Sequence, residues 1–159
     1  MSHYKNQEFD FVNRTKTIIE QYDKLELAKA EKFEVTLLLN CLVGLLILPQ
    51  QNWFDSLPTD LVSQKEWGIS PNHISTIKEK TRNVKDVARH LRNSISHYRF
   101  KAFENKSDDI SSIKFEDFEV NKKTKEKVKT FEATIPVSCL RQFTTKLTNT
   151  FVSEMDKHK

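Results

Sequence analysis

The sequence predicts an all-α fold, a four-helix bundle with a small β-hairpin inserted between the third and fourth helices. Three observations predict it. Glycine occurs twice and proline four times in 159 residues, while phenylalanine occurs 11 times, a composition suited to packed helices rather than disorder. Ile74, Ile77, Val84, Ala88, Leu91 and Ile95, with Thr81 in the remaining slot, follow one another by threes and fours, the spacing of a buried helix stripe. Beyond Phe100 the apolar period drops to two, the signature of strands.

Taken in order, the first helix covers about 8–25, with Phe11, Val12, Ile18, Ile19, Tyr22 and Leu25 on one face. The second covers about 32–48 and is apolar almost all round, as the centre of a bundle requires. Its exceptions, Thr36, Asn40 and Gly44, are spaced four apart and share a face where another helix can approach or a buried polar group can be met. Pro49 stops it, and Trp53 and Phe54 anchor a turn-rich connector. Ser70 and Pro71 open a third helix over about 72–97. A hairpin at about 112–136 turns through a lysine-rich tip containing Lys122, Lys123, Lys125 and Lys127. The last helix begins near Pro136 or Ser138 and carries Leu140, Phe143, Leu147 and Phe151 on one face.

Residues 1–159 are of a length for a single domain. Lys plus Arg exceeds Asp plus Glu by 26 − 22 = 4, which permits a phosphate-bearing partner without implying one. Cys41 lies in an apolar run and reads as a buried thiol; Cys41 and Cys139 have no metal-ligand spacing. The apolar stretch at 35–48 is shorter than the roughly 18 to 20 residues a membrane span needs, and it contains Asn40. With no signal-like N-terminus, a soluble cytoplasmic protein with no membrane partner is expected.

The chemistry concentrates in "RNSISHYRF", residues 92–100, where the third helix ends. With Leu91 at zero and 100° per residue, Asn93, Asp86, His97 and His90 fall at roughly 200°, 220°, 240° and 260°. They form a polar stripe opposite the core stripe, and Arg92 stands on the flank at roughly 100°. Two stacked histidines are unusual on a face that only needs to be soluble, and the C-terminal end of a helix favours a protonated one. Arg92 and His97 are about 140° apart, so one regular helix does not bring them face to face. A second copy across a two-fold axis would complete such a site. An Asp86, His90 and His97 metal site would leave Arg92 without a role, so neither metal nor cofactor is expected. His3, His73 and His158 sit in terminal or loop positions and read as bystanders.

"RNSISH" resembles the Arg-x4-6-His motif of the HEPN superfamily, in which a polar residue, commonly Asn, follows the arginine. "FEVTLLLNCLVGLLILPQQ" and "TFEATIPVSCLRQF" also look like a branch carried by plasmids and bacterial genomes, so the resemblance spans nearly the whole chain. It implies a metal-independent endoribonuclease acting as a homodimer on RNA, as a toxin neutralised by an antitoxin protein or in antiviral defence. Arg92 and His97 would be catalytic and Asn93 the accompanying polar residue. His90, Asp86, Ser96, Tyr98 and Asn40 would support them. The lysines of the hairpin tip, Lys122, Lys123 and Lys125, with Arg99, read either as a track for an RNA backbone or as a turn kept soluble by charge. In the branch paired with nucleotidyltransferase antitoxins, a modifiable tyrosine sits two residues after the histidine; here Arg99 holds that position and Tyr98 precedes it. The other reading is a non-catalytic helical dimer that binds a nucleotide, an RNA or a partner protein.

Overall fold

The computed structural model describes residues 6–28, 33–47, 54–107 and 109–158. His3, Pro49, Trp53 and the two ends expected for the second helix lie outside them. The described residues form four helices and a four-stranded antiparallel sheet, 51% helix and 23% strand, so the fold is mixed α/β and not all-α. The chain divides into two compact units, 1–57 with 144–159, and 58–143.

The first unit holds α1 (Gln7–Asp23), α2 (Glu34–Ile47) and the greater part of α4 (Val137–Asp156). Asn6 caps α1 by accepting a hydrogen bond from the Phe9 N–H at 3.3 Å. Val12 and Ile19 of α1, Leu38, Leu42 and Leu45 of α2, and Leu147 and Phe151 of α4 are buried. The stripe of small residues on α2 does permit close approach, but only at Gly44, where a β-carbon would stand 2.5 Å from the Phe11 ring. Thr36 and Asn40 are exposed. Burial disfavours the Cys41 thiolate and raises its pKa, as expected of a packed thiol.

The second unit holds β1 (Ile74–Ile77), α3 (Val84–Ser96), β2 (Phe100–Glu104), β3 (Ile110–Val120), β4 (Lys127–Pro136) and the first turns of α4. The strand order is β1-β4-β3-β2. The hairpin expected at 112–136 is present as β3 and β4, but it is the centre of a sheet and not an appendage. β1 adds to one edge through Ile74 opposite Ala133 and Ile77 opposite Phe131, and β2 adds to the other through Phe100 opposite Phe115. The third helix is therefore half the expected length. Ser70 and Pro71 open only a one-turn 3-10 helix, and Ile74 and Ile77 extend as a strand. The helix starts where Asn83 accepts the Asp86 N–H at 2.8 Å.

α3 packs on β3 and buries Val84, Val87, Ala88, His90, Leu91, Ser94 and Ile95. Ile113, Phe115, Phe131, Ala133 and Ile135 form the buried face of the sheet. An extra residue, Thr130, bulges from β4 between Lys129, which pairs with Phe118, and Phe131, which pairs with Asp117. Among the described residues no helix is long and apolar enough to cross a membrane.

Candidate functional site

The polar stripe of α3 turns into the core at His90, is half-buried at Asp86 and Asn93, and is exposed at His97. With Ile74 and Ile77 removed to a strand, and with Val87 and Ser94 counted, the buried face swings towards His90. That imidazole is 2% exposed and stacks on Phe131, with ring centroids 4.8 Å apart and planes 4° from parallel. Its Nδ1 lies 2.9 Å from Asp117 Oδ2 and its Nε2 lies 2.8 Å from Glu79 Oε2. Both nitrogens meet carboxylates, so the ring satisfies both only as the imidazolium.

Burial is the largest influence on His90 and disfavours its charged form. The hydrogen bonds to Asp117 and Glu79, with their charges, outweigh it and lift the pKa above the ordinary 6.5. For Asp117 and Glu79, burial again works against charge, but the bonds to His90 prevail and both pKa values lie below the ordinary range. The triad is an ion-paired network between α3, β3 and the segment that follows β1.

The network reaches the "RNSISH" motif through Asn93. The Asn93 Nδ2 donates to Asp117 Oδ2 at 2.9 Å, which fixes its amide, and its Oδ1 accepts from Arg92 Nε at 3.3 Å and Nη2 at 3.1 Å. The arginine is half-buried, and burial followed by repulsion from Arg89 lowers its pKa while Asp117 opposes the change. Arg92 and Asn93 are thus brought together with His90. Arg99 approaches the same carboxylate, its Nη1 standing 3.5 Å from Asp117 Oδ1. Asp86 belongs to the start of the helix instead. It accepts from Asn83 Nδ2 at 2.6 Å and pairs with Arg89 at 3.0 Å, while Arg89 also reaches Glu79.

His97 stands apart from these groups. It is the C-cap of α3, exposed, and its backbone N–H bonds the Asn93 carbonyl at 3.1 Å. Tyr98 follows in the left-handed region at φ 54°, and bonds from Tyr98 N to Ile95 O at 3.0 Å and from Arg99 N to Ser94 O at 2.7 Å complete a Schellman motif. A tyrosine in a position that favours glycine holds the turn, and the residue is 83% exposed. Ser96 is exposed beside it. Lys122, Lys123 and Lys125 are exposed in the β3–β4 turn, and Asn40 lies in the other unit. Among the described residues no group of three or more His, Cys, Asp or Glu side chains is arranged to hold a metal ion.

Sequence reasoning missed Glu79 and Asp117. Asp117 carried a signal, since it directly continues the alternation of Ile113 and Phe115 in "SIKFEDFEV", with Glu119 following at the exposed end of the strand. Glu79 carried none, because it was assigned to a helix.

The second unit thus defines a mixed α/β domain in which an arginine and an asparagine, buttressed by a buried charge network, lie one turn before an exposed histidine at a helix end. Residues 1–158 match the family described as HEPN pEK499 p136, and the chain belongs to that HEPN family. HEPN domains are generally ribonucleases that commonly dimerise and bind RNA, so membership suggests a nuclease or RNA-related role. No curated protein and no solved structure matched the chain.

Proposed function

We propose that this protein is a metal-independent endoribonuclease of a toxin–antitoxin or phage-defence system, acting in the cytoplasm at a site completed by two copies of the chain. The observation that carries the reading is the division of the motif. Arg92 and Asn93 are held by the Asp117–His90–Glu79 network, while His97 is exposed and, among the described residues, is held through its backbone. A group that transfers protons needs access to substrate, whereas a group that stabilises charge needs fixed geometry.

RNA supplies the nucleophile. One His97 takes the 2′-OH proton as the 2′-oxygen bonds to phosphorus. The bond from phosphorus to the 5′-oxygen breaks, and the His97 of the second copy protonates that leaving oxygen. Arg92 donates to the non-bridging oxygens of the phosphorane, where its charge and planar fork suit the developing dianion. Asn93 orients the guanidinium. The products are a 2′,3′-cyclic phosphate and a 5′-hydroxyl. Of the supporting residues suggested by sequence, His90 positions Asn93 through Asp117, Asp86 serves the helix start, and Tyr98 shapes the turn that presents His97.

Purified protein incubated with single-stranded RNA should yield cyclic-phosphate ends. His97→Ala and Arg92→Ala should each lower the rate by about 100-fold or more, and EDTA should leave it unchanged. Cleavage that survives His97→Ala would refute the assignment. RNA binding with no cleavage by the wild-type protein would favour the non-catalytic dimer.

A further inference from the structure

The sheet has a second face. Opposite the buried Ile113, Phe115 and Asp117, β3 presents Lys114, Glu116 and Phe118. Direct pairing sets Lys127 and Lys129 of β4 on that side; Lys101 of β2 stands beside Lys114, and Arg99, just before β2, stands beside Glu116. Among the described residues, these strands and Arg99 bring five cations to the face against two carboxylates, Glu116 and Glu132.

The carboxylates do not neutralise the face evenly. Glu132 is held by Lys129 first and then by Lys114, with a pKa lowered to about 2, and Glu116 takes Lys129 at 2.6 Å. At one end, three cations converge on a single half-exposed ring. Lys127 Nζ lies 4.4 Å, the Arg99 guanidinium 5.5 Å and Lys129 Nζ 5.8 Å from the Phe118 centroid. Lys129 is shared with Glu116 and Glu132 and Arg99 reaches Asp117, so these carboxylates offset part of the repulsion among the three cations around the ring. A polyanion with flat apolar groups, lying across the ring with its phosphates between the cations, would relieve the rest. The cluster is joined to the motif, since Asp117 accepts from both Arg99 and Asn93.

We propose that Phe118, with Arg99, Lys127 and Lys129, forms a subsite for single-stranded RNA, in which a base stacks on the phenyl ring and flanking phosphates meet the three cations. It rests on the ribonuclease reading for its location beside the site, and it names the substrate form. Only an unpaired strand exposes a base face for stacking, so the subsite selects single strands over duplex.

The test uses full-length His97→Ala protein, to avoid cleavage, and fluorescence anisotropy with a short labelled oligoribonucleotide, either single-stranded or annealed to its complement. Phe118→Leu keeps an apolar side chain but removes the ring, and it should weaken single-strand binding about tenfold with little effect on duplex. Phe118→Trp should restore or exceed the starting affinity. Lys127→Gln should reduce the salt dependence by about one phosphate contact. Unchanged single-strand binding in Phe118→Leu, or equal losses for single strand and duplex, would overturn the subsite. Ring-dependent binding by a wild-type protein that cuts no RNA would instead overturn the ribonuclease reading and leave the subsite standing.

Discussion

At the scale of single residues, His90 decides more than its position in the stripe suggested. Removing one member of a buried, hydrogen-bonded ion network leaves uncompensated charge, so His90→Ala should destabilise the protein by about 3 kcal/mol in urea denaturation. The pH dependence has two limbs. The His90 pKa is raised on folding, so its contribution is complete below the ordinary 6.5 and is lost as pH rises through the raised value. Asp117 and Glu79 have lowered values, so their contributions are present above the ordinary 3.8 and 4.5 and are lost as pH falls through the lowered ones. From this network, stability should be greatest between about pH 4.5 and 6.5, and the alkaline limb should flatten in His90→Ala. Tyr98 acts in the opposite sense. Tyr98→Gly removes left-handed strain and should stabilise the fold by about 1 kcal/mol. A simultaneous loss of cleavage would show that the exposed ring also serves the substrate.

At the scale of elements, two helices illustrate how local signals compete. In α2, Gly44 is required by the Phe11 ring of α1, and an added β-carbon would overlap it. Gly44→Ala should therefore destabilise by about 1 to 2 kcal/mol despite the better helix propensity of alanine, and Phe11→Leu in the same chain should recover part of the loss. In α3, the start is governed by Asn83, which caps Asp86 N and also bonds its carboxylate. Asn83→Ala should cost about 1 kcal/mol, read by thermal unfolding. The sequence held both an apparent start at Ser70-Pro71 and this true one at "NVKD". The threefold spacing of Ile74 and Ile77 fits a helix, so the earlier start looked better. The edge of β4 changed the outcome by offering those backbone groups a ladder.

At the scale of the molecule, the proposed composite site makes a prediction that no single-chain site shares. Wild-type protein mixed with an equal amount of His97→Ala protein and allowed to exchange subunits should lose about half of its activity, because only about a quarter of the dimers would keep a His97 on both copies. Activity left unchanged by the mixing, with exchange verified by native mass spectrometry, would place the acid and the base within one subunit or put His97 outside the reaction.

The helices α1, α2 and α4, the β3–β4 hairpin and the "RNSISH" motif at the end of the third helix were legible in the sequence, because each depends on spacing within one segment. The 3.6 and 2.0 periods and the proline and asparagine signals are local, and the pairing of β3 with β4 crosses only a short turn. What only the tertiary structure decided was the company these segments keep. β1 and β2 exist because the two edges of the hairpin needed partners, and their addition took Ile74 and Ile77 from the third helix. The sheet then brought Asp117 and Glu79, 27 and 11 residues from His90 in sequence, onto its two ring nitrogens. No periodicity encodes such a meeting. It arises because a buried imidazolium is tolerated only where distant carboxylates balance its charge, and folding alone brings them there.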